Sequence, residues 1–510
     1  MLSTLHWDNI ETPLLLMTWL IAIIVARIGF HSFHPLSKIF PESAVLIILG
    51  LAAGYIIYEV FRLDLYLHPD LFFLYLLPPI VLEAGFFMPS NAFFNNIGTI
   101  LLYAVVGTLL NIVGICFTIY IFSPLYNHTL SFITILLYST IISAVDPVAV
   151  LSLFEEIHVN QILYICVFGE SLLNDACFLK TTFSVLYHSL SSLIHVKGGP
   201  ILDDFIDSTF NFILVSVGGV LLGATFVCIT ALASKYASVA PILQPLICLV
   251  FPYLSYLLSE YLHLSAILSI VTCGLLMRTY IKGNLSVNPL ITVRYMVKTL
   301  SSCCEAIIFV FLGLSTFSKK HDWDISFAVV TVTACVISRF IAVFLLTKLA
   351  NRRRVQKIAF RDQIIMAFGG IRGAICYGLV LSIDEQDIPS KQMLISTTLC
   401  VICVTVFIQG TTIKPLVKIL DVKKEATNKD TVAETVFKHS LDDIIMGVEA
   451  ILGVKGSHYW HRRLTEVNHG FVQPALMRTT TSRGKQLVEK YSTMCSEEQR
   501  QRLLDSSFHL

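Results

Sequence analysis

Between residue 14 and about residue 418 the chain alternates long apolar runs with short polar breaks, and most runs could cross the ~30 Å hydrocarbon core of a bilayer. Thirteen candidate spans can be marked, at roughly 14–30, 44–58, 71–87, 97–122, 131–151, 161–190, 206–233, 239–259, 264–278, 296–317, 326–348, 361–383 and 394–418. Some are short for a crossing and others long, which predicts tilted or interrupted helices. A barrel would instead show short segments of alternating polarity. The pattern therefore predicts an all-α polytopic membrane protein. After Asp421 the sequence becomes polar and mixed in charge, so residues 1–420 read as a membrane domain and 421–510 as a cytosolic regulatory segment. Within that segment Leu441, Ile444, Ile445, Val448, Ile451 and Leu452 recur at helical spacing between Asp442, Asp443 and Glu449. A helix near 437–453 with this stripe either packs on its own domain or lies in a partner's groove.

The polar positions inside the apolar runs carry the functional signal. Val167–Ala176 places Glu170, Ser171, Asn174 and Asp175 within the sixth span. An ionisable group at membrane depth costs ~3 kcal/mol on insertion scales, so it faces a cavity or a partner rather than lipid. On a helix Ser171 and Asp175 share a face, as do Glu170 and Asn174. A carboxylate with hydroxyl, amide and carbonyl oxygens suits a small hard cation such as Na⁺ or Li⁺. If Asp175 takes either one proton or one such ion, exchange is electroneutral. A lone buried acid is also compatible with a structural ion pair, but the clustering here favours a transport site.

Two spans are predicted to break. The fifth ends Ser143-Ala-Val-Asp-Pro-Val-Ala149, where Pro147 lacks an N–H and crowds the preceding turn, so the helix should stop near Asp146. Freed carbonyls at such a break coordinate cations, and the following helix start carries positive dipole character. The twelfth contains Gly369-Gly-Ile-Arg-Gly-Ala374, glycines that loosen the ladder around Arg372. Arg372 keeps its proton and needs a carboxylate, Glu170 being the first choice and Glu305 the second. The breaks lie seven spans apart, and that offset reverses direction. This is the arithmetic of two inverted six-helix repeats around a linking seventh span, with the broken helices crossing at a transporter site.

Composition narrows the class further. The chain is 55% hydrophobic and 14% charged, against the ~25% charged residues of a soluble domain. Net charge is +1 and no basic aromatic surface points to nucleic acid. Most of the 13 cysteines, Cys400 and Cys403 included, sit in apolar runs and read as packing residues. No His-rich cluster or Ser/His pair suggests an enzyme or a cofactor, and no filter or gating-charge helix suggests a channel. The N-terminus lacks the features of a cleaved signal, so the first run should insert uncleaved. With that terminus outside, about a dozen basic loop residues fall in the cytosol against about five outside. The Arg352-Arg-Arg354 cluster among them could also attract anionic lipid.

Phe72-Phe-Leu-Tyr-Leu-Leu-Pro-Pro-Ile80, Ser143–Val150, Phe154–Asn160, Val167–Ala176, Gly369–Ala374 and Phe407-Ile-Gln-Gly410 together resemble the eukaryotic plasma-membrane-type sodium/proton exchangers of the cation/proton antiporter superfamily. The resemblance covers nearly the whole membrane part. It implies a 13-helix inverted-repeat homodimer with elevator-like alternating access, regulating cellular pH and sodium at the plasma membrane. It further implies Asp175 with Asn174 as the transport site, Asp146 at the helix crossover, and Glu170 with Arg372 as a supporting charge pair. Phe72, Leu76, Leu77 and Glu305 would match the entry path where amiloride-type inhibitors act. The amphipathic tail helix would match the site of a calcineurin B-like EF-hand protein.

Two departures bear on these expectations. Cys177–Val185 adds about five residues before Leu186-Tyr187, rotating the rest of that span by more than a turn and bringing Lys180 to membrane depth, ~7.5 Å along the helix from Asp175. An ammonium there would repel Na⁺, which raises a second reading, a non-transporting scaffold for the EF-hand partner. Gln244 stands in Leu243-Gln-Pro245 where many relatives carry Glu.

Overall fold

The computed structural model describes residues 7–32, 40–61, 68–126, 128, 130–146, 154, 159–174, 202–316, 322–352, 354, 357–385, 388–420 and 467–477, with single positions between 437 and 451. The regular elements among them are all helical. In chain order they are α1 (Trp7–Ser32), α2 (Glu42–Phe61), α3 (Pro69–Phe87), α4 (Ile97–Ile121), α5 (Phe132–Ile142), α6 (Gln161–Leu173) and α7 (Leu202–Tyr236). Then follow α8 (Gln244–Tyr261), α9 (Ala266–Asn284), α10 (Val287–Ser315), α11 (Ile325–Ala350), α12 (Phe360–Phe368), α13 (Ala374–Leu381) and α14 (Lys391–Ile419). Nine helices among the described residues are long and apolar enough to cross a membrane. Three shorter apolar helices, Leu20–Phe30, Phe132–Ile142 and Ile162–Leu173, and the split pair α12/α13 stand beside them among the described residues. The chain is a multi-pass membrane protein.

Cα packing divides the chain into two compact units. The larger holds Met1–Val227, Cys248–Arg278 and Ile291–Lys429; the smaller holds Cys228–Ile247, Thr279–Leu290 and Asp430–Leu510. In the larger unit α4 packs along α5 and α11, α11 along α12 and α14, and α13 along α5 and α14. Outward positions such as Phe117, Val329 and Ile341 are exposed and apolar, as lipid-facing positions require.

Proline chemistry shapes α3. Pro78 has no N–H for the Leu74 carbonyl, and the chain relieves the loss with a π-turn at Phe72–Leu76. Leu77 N–H then donates to Phe72 O, which leaves the Phe73 carbonyl without a helical donor as well. Both are satisfied from α8: Tyr253 Oη donates to Leu74 O at 3.0 Å and Tyr256 Oη to Phe73 O at 2.7 Å. An irregular stretch at membrane depth is thus kept free of orphaned carbonyls.

Candidate functional site

The expected breaks are present and they meet. α5 ends at Ile142, and Ala144–Asp146 leave helical geometry; Gly369–Gly373 separate α12 from α13. Asp146 N–H donates to Ile371 O at 2.8 Å, and Arg372 Nη1 donates to Ala144 O at 2.7 Å. The Arg372 amide donates to Thr405 Oγ1 at 3.3 Å, in a π-turn of α14 that runs to Gln409. Unwound backbone that would be prohibitive against lipid is here buried in protein and paired across the crossing.

The charges at this crossing are each set against a helix end. Arg372, 1% exposed, lies at the C-terminal end of α5, where unpaired carbonyls carry negative partial charge. Asp146 lies against Gly373, which precedes the positive N-terminal end of α13. A Cβ at Gly373 would collide with the Asp146 carboxylate, so only glycine leaves room for the acid there.

One pairing expectation is corrected. The sequence points Glu170 at Arg372, with Glu305 second. The structure gives Glu170 to Arg339 of α11, whose two terminal nitrogens reach both carboxylate oxygens, Nη2 to Oε2 at 3.0 Å. Arg339 Nη2 also donates to Met366 O at 3.3 Å. Both partners are buried, and the planar fork fits the carboxylate in two places at once. Arg372 Nη1 instead donates to the Ala144 backbone carbonyl. Sequence reading missed Arg339, although an arginine in the middle of the apolar 326–348 run demands a buried carboxylate as much as Arg372 does.

Asn174 caps the end of α6 and is buried, its Oδ1 finding no hydrogen-bond partner among the described residues. Ser171 donates its hydroxyl to Val167 O at 3.0 Å, which leaves lone pairs on Oγ to accept or coordinate. Asp175, Pro147, His158, Lys180 and the Cys177–Val185 stretch lie outside the described residues, as do Ile445 and Leu452 of the tail stripe.

A cavity of about 90 Å³ opens beside the crossing. Its wall includes Asp146, Glu83, Glu305, Phe72, Leu77 and Leu172. Of the expected entry-path residues, Phe72, Leu77 and Glu305 line it, whereas Leu76 is buried elsewhere in the same π-turn. Glu42, on α2, forms a 2.6 Å ion pair with Arg27 Nε of α1. Three carboxylates, with the Tyr164 and Ser301 side chains, stand in an otherwise apolar wall, so its potential ligands are hard oxygens.

The sodium/hydrogen exchanger transmembrane family model matches residues 20–419. Sodium/hydrogen exchanger 2 of Oryctolagus cuniculus is 41% identical over 479 residues, covering 93% of this chain and 58% of its own. Sodium/hydrogen exchanger 3 of Rattus norvegicus is 39% identical over 491 residues, 95% of this chain and 58% of its own. The probable Na⁺/H⁺ antiporter nhx-3 of Caenorhabditis elegans is 41% identical over 476 residues, 93% of this chain and 70% of its own. This chain therefore spans less than two thirds of the two mammalian relatives. The sodium proton antiporter MjNhaP1 of Methanocaldococcus jannaschii shares the fold with a TM-score of 0.59 at 17% identity, over 81% of this chain and 99% of that one. With the family model matching from the first span to the last, the chain belongs to the sodium/hydrogen exchanger family.

Proposed function

We propose that the protein exchanges Na⁺, or Li⁺, for H⁺ electroneutrally by alternating access, and so regulates intracellular pH and sodium. The observation that carries this reading is the crossing of two unwound segments, each with a charge set against a helix end, beside a carboxylate-lined cavity. Fixed charges at the crossing are already compensated: Arg339 by Glu170, Arg372 by the end of α5. The exchangeable ion is then held by Asp175, with Asn174 Oδ1, Ser171 Oγ and Asp146 as further oxygens. One carboxylate holding one proton or one sodium ion makes the cycle electroneutral. Phe72, Leu77 and Glu305 form the entry path. Thirteen crossings in two inverted repeats, a homodimer and a plasma-membrane location complete the proposal.

The tail stripe supports a partner-binding role over packing on its own domain. Its described members Leu441, Ile444, Val448 and Ile451 lie exposed, Ile444 at 65% and Ile451 at 87%. An apolar helix face of this width suits the groove of a calcineurin B-like EF-hand protein. Anionic lipid is a further partner for the Arg352–Arg354 region. The test is reconstitution of the full chain in proteoliposomes with an inward Na⁺ gradient. Proton efflux that does not change when the membrane voltage is clamped is the expected result; voltage-dependent currents, or no Na⁺-coupled proton movement, would overturn the reading.

A further inference from the structure

The smaller unit contains an ordered contact that the transport reading does not use. Residues 468–476 form a π-turn (Asn468–Val472) continuing into the short helix Gln473–Leu476. A helix end leaves its last carbonyls without donors. Here they are taken up by the ends of two membrane helices: Lys235 Nζ, from the last turn of α7, donates to Ala475 O at 2.7 Å and Pro474 O at 3.3 Å. Asn284, the last residue of α9, directs Nδ2 at Leu476 O and Ala231 O, both at 2.9 Å, and at Ser234 Oγ at 3.1 Å. Tyr280 Oη, one turn earlier on α9, donates to Asn468 Oδ1 at 3.0 Å. Leu476 and Asn284 are both buried in the contact.

The receiving helices also pack directly against each other. Gly219 and Gly223 of α7 approach so closely to the Ser265 and Ser269 carbonyls at the start of α9 that no Cβ would fit. Within the smaller unit Asn284 Nδ2 also reaches Ala231 O and Ser234 Oγ of α7, so the two helix ends are bonded to each other where the segment seats, and binding there loses little conformational freedom. We infer that the paired ends of α7 and α9 are a docking site for the chain's own segment 467–477, read through its backbone carbonyls and Asn468, and that this dock anchors the polar tail downstream of the partner-binding helix. The cationic donor at a helix C-terminus gives the dock polarity. Main-chain recognition makes it depend on segment geometry more than on side-chain identity, with Leu476 as the apolar plug.

The experiment uses the full chain with a protease site inserted between residues 455 and 465, purified in detergent by a tag on the membrane part. After cleavage the C-terminal fragment should stay bound. Leu476→Asp, a change carried by the fragment itself, should release it, lowering the retained fraction at least about tenfold. Asn284→Ala should do the same, and Leu476→Asp decides the matter should Asn284→Ala fail to fold. A wild-type fragment that washes away, or a Leu476→Asp fragment that stays, overturns the dock. Detergent removes bilayer retention as an explanation, and an EF-hand partner would sit upstream of the cut.

Discussion

Glu170 and Arg339 tie α6 to α11 one turn before Asn174, and the tie is a buried ion pair. Removing one partner strands a charge at membrane depth, which costs ~3–5 kcal/mol, whereas replacing both by neutral groups of similar size costs far less. Arg339→Met and Glu170→Gln should therefore each lower the thermal unfolding midpoint strongly, and the double variant should recover most of the loss. Additive losses in that cycle would show the pair to be uncoupled. At the crossing, Gly373→Ala drives a methyl into the Asp146 carboxylate. Overpacking of this kind costs ~1–3 kcal/mol, so a folded but less stable protein with little Na⁺/H⁺ exchange is expected. Normal flux in proteoliposomes would contradict the geometry. The need for buried charge pairing was legible in the apolar runs, but not the identity of the pairs. Arg339 and Arg372 both lie at membrane depth, and only the direction of the guanidinium fork from α11 decides which one Glu170 receives.

At the scale of elements, irregular helices carry the site. Breaks in the fifth and twelfth spans could be read directly from Pro147 and from the glycines around Arg372, because backbone chemistry is local. The remedy for a break is not local. Carbonyls freed in α3 are satisfied by Tyr253 and Tyr256, 179 and 183 residues away in sequence, which no periodicity announces. Tyr256→Phe leaves the Phe73 carbonyl buried without a donor and should cost ~1–3 kcal/mol. Tyr253→Phe should cost less, its ring being less buried. Melting of the two purified variants checks the order, and equal or absent shifts would show that water or backbone rearrangement satisfies these carbonyls. Phe72, at the mouth of the same π-turn, lines the cavity. Tyr256→Phe should therefore also weaken inhibition by an amiloride-type compound acting on that wall, and unchanged inhibition would place the inhibitor elsewhere.

The whole molecule follows from hydropathy more than any of its parts do. Runs of apolar sequence gave the helices and their order, since the bilayer imposes both length and internal hydrogen bonding. Which helices enclose the crossing was not legible, because lipid-facing and protein-facing stretches are equally apolar and no polar face marks the inside. The tail stripe was legible as amphipathic, while its exposure required the fold. The central claim is that one carboxylate, Asp175, exchanges a proton for a sodium ion. Its most direct test is Na⁺-dependent recovery of cytosolic pH after an acid load in exchanger-null cells expressing the chain or its Asp175→Asn variant at equal surface levels. The account predicts recovery with the wild-type chain and none with Asp175→Asn; recovery undiminished in the variant would contradict it.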